Sequence, residues 1–374
     1  MIYILVFLLS IFFAYFANVK KQQGNSLLFY VFSFLCIAFP VILAGARDYN
    51  VVGTDSSNYY ALFERAAYAR SFTHMLAYNP SDMEMGFQYI VFLISRITSD
   101  SFVFFSVIQC LIIVPVYVAL HLFPVKLSPS LGMFVYLFLF YNTSLNILRQ
   151  CVALSFFLLA IVFLIKRSYI KYWIVILACF FIHRTAIIGV PVFLFYLMST
   201  KYPIRKNLIK NLLLLALLSV ISFVILQNTN LINAFVSQRE VYSNYLNAVN
   251  ESSISLSSFL LYLYILFRFH MSGKLLQERT MDFFLFMSFC AVIVIFLTIF
   301  GQVMSRFVLY FTITYVFSIP YVYKCVSFYK KSNTYHSYNN TLLYEVITLF
   351  CLMWYFSIIL RGSNATYPYV SIFI

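Results

Sequence analysis

Long apolar runs, each broken by a few polar residues, recur along the whole chain. A helical crossing of a bilayer needs about 20 predominantly apolar residues. Residues 2–18, 27–44, 101–121, 131–147, 150–166, 208–226, 257–271, 282–300, 307–324 and 342–360 each read as one such crossing. Two shorter runs, 172–182 and 185–199, are parted by His183-Arg184, and this pattern fits either two short tilted helices or a re-entrant hairpin with those residues near its tip. The run Phe87 to Ile97 is too short to span and reads as an interfacial or re-entrant helix. Barrel strands would be short and alternating. The pattern therefore predicts an all-α, polytopic integral membrane protein, 1–374 as a single transmembrane domain, with about 10–12 transmembrane helices, one or two of them short or re-entrant.

Composition agrees with this class: the chain is 10% charged, where soluble domains carry about a quarter. Basic loops stay in the cytoplasm, which sets the orientation. Lys20 and Lys21 follow the first run rather than precede it, so the N-terminus reads as an uncleaved span and not a secretory signal. Alternation then places both termini outside, with 45–100 as an outer loop carrying the interfacial helix and 227–256 as a second outer loop. On this layout all 12 lysines fall inside, with Arg167, Arg205, Arg268 and Arg279. The outer side holds Arg47, Arg65, Arg70, Arg96, Arg149, Arg184, Arg239, Arg306 and Arg361, and no lysine. The positive-inside rule does not separate Lys from Arg, so this division needs another cause. A guanidinium is a planar, permanently charged fork suited to phosphate or carboxylate. The division points to an outer cavity for a phosphorylated or acidic substrate. The net charge of +14 calls only for anionic membrane lipid as a partner, not nucleic acid.

Candidate chemistry is sparse and sits on that outer side. The stretch Gly45 to Tyr60 carries Arg47, Gly53, Asp55 and Tyr59 where an apolar run ends, and reads either as a site wall or as a solvated connector. Arg149, followed by Gln150, lies at the junction of two apolar runs. A charge at membrane depth costs about 2.5–3.5 kcal/mol on insertion scales and usually faces a cavity; snorkelling to the interface is the alternative. His183 suits proton transfer near neutral pH, and Arg184 beside it suits an anion. Arg306 follows another polar break. Of the outer carboxylates Asp55, Glu64, Asp82 and Glu84, Asp55 is the best general-base candidate because of its Gly-Thr-Asp setting. Tyr49, Tyr59, Tyr60, Tyr242 and Tyr245 fit an interfacial aromatic belt or stacking on sugar rings. The seven cysteines lie in or beside apolar runs without Cys-x-x-Cys spacing, and the five histidines lack paired ligand spacing, so no metal site is expected. Nucleotide-binding glycine loops are missing from the sequence, so no cofactor is expected and the substrate should arrive already activated.

These residues, in order, resemble the EpsG family of bacterial exopolysaccharide polymerases, related in role to the Wzy O-antigen polymerases. The resemblance rests on Arg47 with Val52-Gly53-Thr54-Asp55 and Asn58-Tyr59; Glu84-Met85-Gly86-Phe87; Leu148-Arg149-Gln150 with Ala153; His183, Thr185-Ala186 and Pro191; Arg306; and Tyr367-Pro368-Tyr369. Met85 stands where a proline is common in the family. The resemblance implies glycosyl transfer at the outer leaflet of the bacterial cytoplasmic membrane. Undecaprenyl-pyrophosphate-linked oligosaccharide repeat units would be the substrates, for O-antigen, capsule or exopolysaccharide synthesis. A chain-length regulator and a flippase are the protein partners it suggests. On this reading Arg149, His183 and Asp55 are catalytic, and Arg47, Arg184, Arg306, Gln150, Gly53 and Tyr59 hold pyrophosphate or glycan. Alternatives are a flippase or transporter for lipid-linked oligosaccharide, and a membrane sugar acyltransferase using His183 as base.

Overall fold

The computed structural model describes residues 2–78, 83–201, 256–275, 279–298, 303–328 and 333–373. The predicted span 208–226, the loop 227–256 except its last residue, and Asp82, Arg239, Tyr242 and Tyr245 lie outside them. Among the described residues the chain is helical with no strand, apart from one isolated bridge between Arg47 and Ser371. Five helical stretches are long and apolar enough to cross a membrane: Ile2–Gln22, Ser26–Gly45, Ser101–Leu122, Leu148–Ile165 and Leu343–Leu360. An all-α polytopic membrane protein is the result.

The first unit comprises Met1–Gly189 and Tyr315–Ile374. Helices α1 (Ile2–Gln22) and α2 (Ser26–Gly45) form a hairpin. Its turn is set by Gly24 at φ 76° and by Asn25, whose side chain accepts the Leu28 N–H at 3.0 Å. The two helices are joined by a Ser10 hydroxyl donating to the Cys36 carbonyl at 2.7 Å and by stacked Phe13 and Phe39 rings. In lipid every polar group must find an internal partner, and Ser33 finds the Tyr117 hydroxyl of α6 (Ser101–Leu122) at 2.8 Å.

Between α2 and α6 the sequence predicts a loop with one short helix over 87–97. The structure holds three helices there: α3 (Ser56–Tyr68), α4 (Phe72–Tyr78) and α5 (Met85–Ser95). The α3 sequence is too polar in its mean to stand out as a span, yet Tyr59, Leu62, Phe63 and Ala66 share one face at helical spacing and are buried. Arg96 fastens its far end by donating to the Ala66, Ala67 and Ala69 carbonyls, the orphan acceptors of a helix terminus. That arginine, expected on the outer side, is a helix clasp.

The run 131–147 is also broken. Helix α7 (Pro129–Leu139) ends, a short turn α8 (Tyr141–Ser144) follows, and α9 (Leu148–Ile165) starts only after Asn146 and Ile147. Helix α10 (Tyr169–Ile182) returns alongside α9, with the Cys179 thiol donating to the Ala153 carbonyl at 3.4 Å. At His183 the backbone turns extended and a 3-10 turn, Arg184–Ile188, folds back. Gly189 then lies against Ile176, and its carbonyl accepts from the Tyr172 hydroxyl at 2.6 Å. The chain therefore reverses at His183, which both the two-helix and the hairpin readings allow. Helix α11 (Gly189–Lys201) leads into the second unit, Val190–Thr314, with α12 (Leu256–Leu275), α13 (Arg279–Leu297) and α14 (Val303–Thr312). There Phe195 and Phe286 pack at 4.3 Å. The predicted span 307–324 breaks at Ile313 and Thr314, after which α15 (Tyr315–Phe328) and α16 (Asn333–Trp354) complete the first unit.

Contacts define two chemically different ends of the first unit. At one, the Lys21 ammonium meets His121 Nδ1 at 3.4 Å and Lys324 donates to the Lys126 carbonyl. Lys166 and Arg167 join α9 to α10 at the end of those helices remote from Arg149 and His183. At the other end the C-terminal residues form a strap. Tyr3 donates to the Thr366 carbonyl at 2.7 Å, Asn142 to the Thr366 hydroxyl at 2.9 Å, and Tyr369 to the Leu43 carbonyl at 2.9 Å. Backbone bonds run from Asp48 to Val370 and from Ile372 to Ala46, and Gly53 donates to the Ala365 carbonyl at 2.8 Å.

Gly53 sits at φ 94°, where a Cβ would meet Ser56 Oγ at 2.5 Å and the Leu145 carbonyl at 3.0 Å. Gly24 shares the positive φ, 76°, but has nothing within 4 Å. Gly24→Ala is therefore expected to cost about 1 kcal/mol and Gly53→Ala about 2–4 kcal/mol, read as the ordering of thermal midpoints of the purified protein.

Candidate functional site: a carboxylate that gathers an arginine and a histidine

Glu84 stands at the N-cap position of α5, but its carboxylate does not cap that helix. It reaches two other segments instead. One oxygen, Oε2, takes an ion pair from Arg149 Nη1 at 2.5 Å, in the first turn of α9. The other, Oε1, meets His183 Nδ1 at 3.0 Å and accepts the Arg184 backbone N–H at 3.1 Å. The side chains of Glu84 and His183 are 9% and 6% exposed, so this is a nearly dry assembly. Gly86 makes the approach possible, because a Cβ there would meet the Phe181 carbonyl at 2.5 Å. Tyr59 of α3 completes the group: its hydroxyl hydrogen-bonds Arg149, and its ring packs on Phe87 at 5.5 Å.

Burial by itself would push the Glu84 carboxyl up. The His183 hydrogen bond, the Arg149 charge and the Arg184 N–H outweigh it and hold the group down at about 2. Glu84 is thus ionised at neutral pH. It orients the His183 ring through Nδ1. One turn-end away, the Arg184 side chain is exposed and makes no ion pair among the described residues. Two guanidinium groups against one carboxylate leave the cluster net positive, with a further charge whenever His183 is protonated. Such a site can hold a polyanion and move a proton beside it.

The other predicted site residues are placed as follows. Gln150 is buried next to Arg149. Asp55 starts α3, its backbone N–H donates to Asn146 Oδ1 at 2.8 Å, and its carboxylate makes no hydrogen bond; it lies in electrostatic reach of Tyr59. The carboxylate that joins Arg149 to His183 is therefore Glu84; among the described residues Asp55 makes no hydrogen bond or ion pair to either. Arg47 is a correction. It is 1% exposed, donates from Nη1 to the Ala44 carbonyl at 3.0 Å, and lies on the Phe105 ring at 4.2 Å, so it lines no open wall. Burial draws its pKa down to about 10. Gly53 serves the turn beneath α3 rather than a ligand surface. Arg306 lies on the first turn of α14, in the second unit. No group of three His, Cys, Asp or Glu side chains stands at metal-binding distance among the described residues.

Two residues carry more than their sequence context announced. Asn146 accepts from the Thr54 hydroxyl at 2.7 Å and the Asp55 N–H at 2.8 Å, tying α3 to the start of α9. Glu84 had one legible signal: a carboxylate two residues before a glycine, where glycine marks close backbone approach.

Long apolar helices with a carboxylate-centred cluster of Arg149 and His183 at one end define a polytopic membrane protein. The chain belongs to the EpsG family, whose family model matches residues 32–371. Membership suggests a polysaccharide-polymerase-like function. No curated protein and no solved structure matches the chain.

Glu84→Gln and Arg149→Met should each lower stability, and the double variant should lose less than the two single losses added, by about 1–3 kcal/mol of coupling. Because folding depresses the Glu84 pKa to about 2 from an ordinary 4.5, its contribution is complete above the ordinary value and is lost as pH falls towards the folded one. Wild-type thermal midpoints should fall more steeply below pH 4.5 than those of Glu84→Gln.

Proposed function

We propose that this chain is a polysaccharide polymerase, a glycosyltransferase that joins undecaprenyl-pyrophosphate-linked repeat units at the outer leaflet of the bacterial cytoplasmic membrane. The observation that carries the reading is the Glu84 assembly, which sets Arg149, His183 and Arg184 side by side at the arginine-bearing end of the helices. The Arg149 guanidinium, held by Glu84 and Tyr59, is suited to charge that develops on a leaving pyrophosphate. The positive-inside rule places the lysine-bearing end in the cytoplasm, which puts this assembly outside.

In the proposed reaction a hydroxyl of the acceptor repeat unit attacks the anomeric carbon of the donor glycan. The bond from that carbon to the pyrophosphate oxygen breaks, and the lipid pyrophosphate leaves with the electron pair. The hydroxyl proton passes to His183, whose imidazolium the ionised Glu84 stabilises. Arg149 and Arg184 receive the pyrophosphate, and Tyr59 steadies Arg149 from the other side. Arg306 stays a pyrophosphate candidate on sequence grounds. The chemical energy is in the donor linkage, which fits a chain without a nucleotide-binding loop.

The test is extension of lipid-linked repeat units by the purified protein, together with a repeat-unit ladder in a strain lacking the native enzyme. Arg149→Ala should cut chain extension by about 10²-fold or more, and Arg149→Lys should restore little, because an ammonium cannot reproduce the fork between Glu84, Tyr59 and substrate. Wild-type extension by both variants at normal abundance would remove Arg149 from the mechanism. Translocation without extension by the wild-type protein would replace the polymerase by a transporter.

A further inference from the structure

Tyr60 and Glu64 stand four residues apart on α3, on the flank beside the buried Tyr59, Leu62, Phe63 and Ala66, and the Tyr60 ring lies 6.0 Å from that of Phe63. Tyr49, from the loop after α2, stacks on Tyr60 with ring centroids 4.0 Å apart and planes 29° apart. Buried Phe105 backs both rings, at 6.0 Å from Tyr49 and 6.5 Å from Tyr60, with planes within 30° of theirs. The buried Arg47 guanidinium fixes Phe105 from its own side at 4.2 Å. The result is a stacked, half-buried tyrosine pair.

Carboxylates stand around this pair. Glu64 and Asp100 act electrostatically on Tyr60, and both are exposed. Glu64 makes no hydrogen bond among the described residues, and Asp48 adjoins Tyr49 in the chain. An interfacial aromatic belt places rings among lipid headgroups, where carboxylates beside anionic lipid are repelled. Flat apolar ring surface bordered by carboxylate acceptors has a different complement: a pyranose, with an apolar C–H face and a rim of donor hydroxyls.

We propose that Tyr49 and Tyr60, with Glu64 at their border, form a carbohydrate subsite that holds an oligosaccharide by stacking and by carboxylate–hydroxyl hydrogen bonds. Tyr59, the residue before Tyr60, contacts Arg149 on the inner face of the same helix. The subsite thus lies on the flank of the helix that carries Tyr59 into the Glu84 assembly. It takes the glycan part of a substrate whose pyrophosphate that assembly binds, and to that extent it rests on the polymerase reading.

The probe is the repeat-unit oligosaccharide released from its lipid pyrophosphate by mild acid, titrated calorimetrically into purified wild-type protein. Binding is expected, weakened about tenfold in Tyr60→Ala and Tyr60→Leu and within about threefold of wild type in Tyr60→Phe, since stacking is worth roughly 0.5–1.5 kcal/mol per ring pair. Tyr60→Leu keeps apolar bulk, so it carries the measurement if Tyr60→Ala fails to fold, and Tyr49→Ala repeats it from the other ring. In the extension assay the same variants should raise the KM for the donor glycan and leave kcat nearly unchanged. No binding by the wild-type protein, or unchanged affinity in Tyr60→Leu and Tyr49→Ala, overturns the subsite even if polymerisation proceeds. Binding that depends on both tyrosines in a protein that never extends a chain supports the subsite and sinks the polymerase reading.

Discussion

An ionised carboxylate shut away from water is the constraint on which the candidate site depends. Taking Glu84 out of solvent is costly unless its charge is matched and its oxygens are satisfied. The match comes from α9, through Arg149, and from the turn after α10, through His183 and the Arg184 N–H. Three segments far apart in the chain are thereby fixed relative to each other. Loss of any partner would leave a charge uncompensated, so the geometry is held as firmly as the fold. Preorganisation of this kind lets a site meet developing charge without rearranging.

The frame around it is built to the same rule. Membrane helices leave few places for polar backbone, and breaks in them must be satisfied internally. Here the breaks coincide at one end of the first unit. The α8–α9 junction, the turn at Gly53 and the C-terminal strap satisfy one another through Asn142, Asn146, Thr366 and their partners. Arg47 belongs to this lacing. Its backbone bridges to Ser371 and its guanidinium braces Phe105, which places it under the tyrosine pair. An arginine that looks like a ligand for phosphate is thus a support for the surface above it.

The division between lysine and arginine also gains a physical meaning. Lysines sit where a point charge suffices, at the end with Lys21, Lys126 and Lys324. The arginines of the other end use the geometry of the fork: Arg96 clasps a helix terminus, Arg47 lies on a ring, Arg149 joins a carboxylate to a tyrosine, and Arg184 remains exposed. Arg47 is buried and Arg149 half-buried, so the arginine count by itself does not measure an open cationic surface.

The sequence by itself determined the class, because membrane crossing depends on hydropathy summed over a local window. It also marked the reversal at His183-Arg184 and the exceptional position of Arg149, since a charge interrupting apolar sequence is visible without knowing its partner. The helix α3 was not legible, for its apolar face is narrow and its mean polarity is that of a loop. Nor was the choice between Asp55 and Glu84, two carboxylates in similar glycine-bearing settings. That choice turns on which of them meets residues about 65 and 99 positions away, and pairing over such separations is decided by packing. Burial of Arg47 and exposure of Arg184 are likewise properties of neighbours that only the tertiary structure brings together.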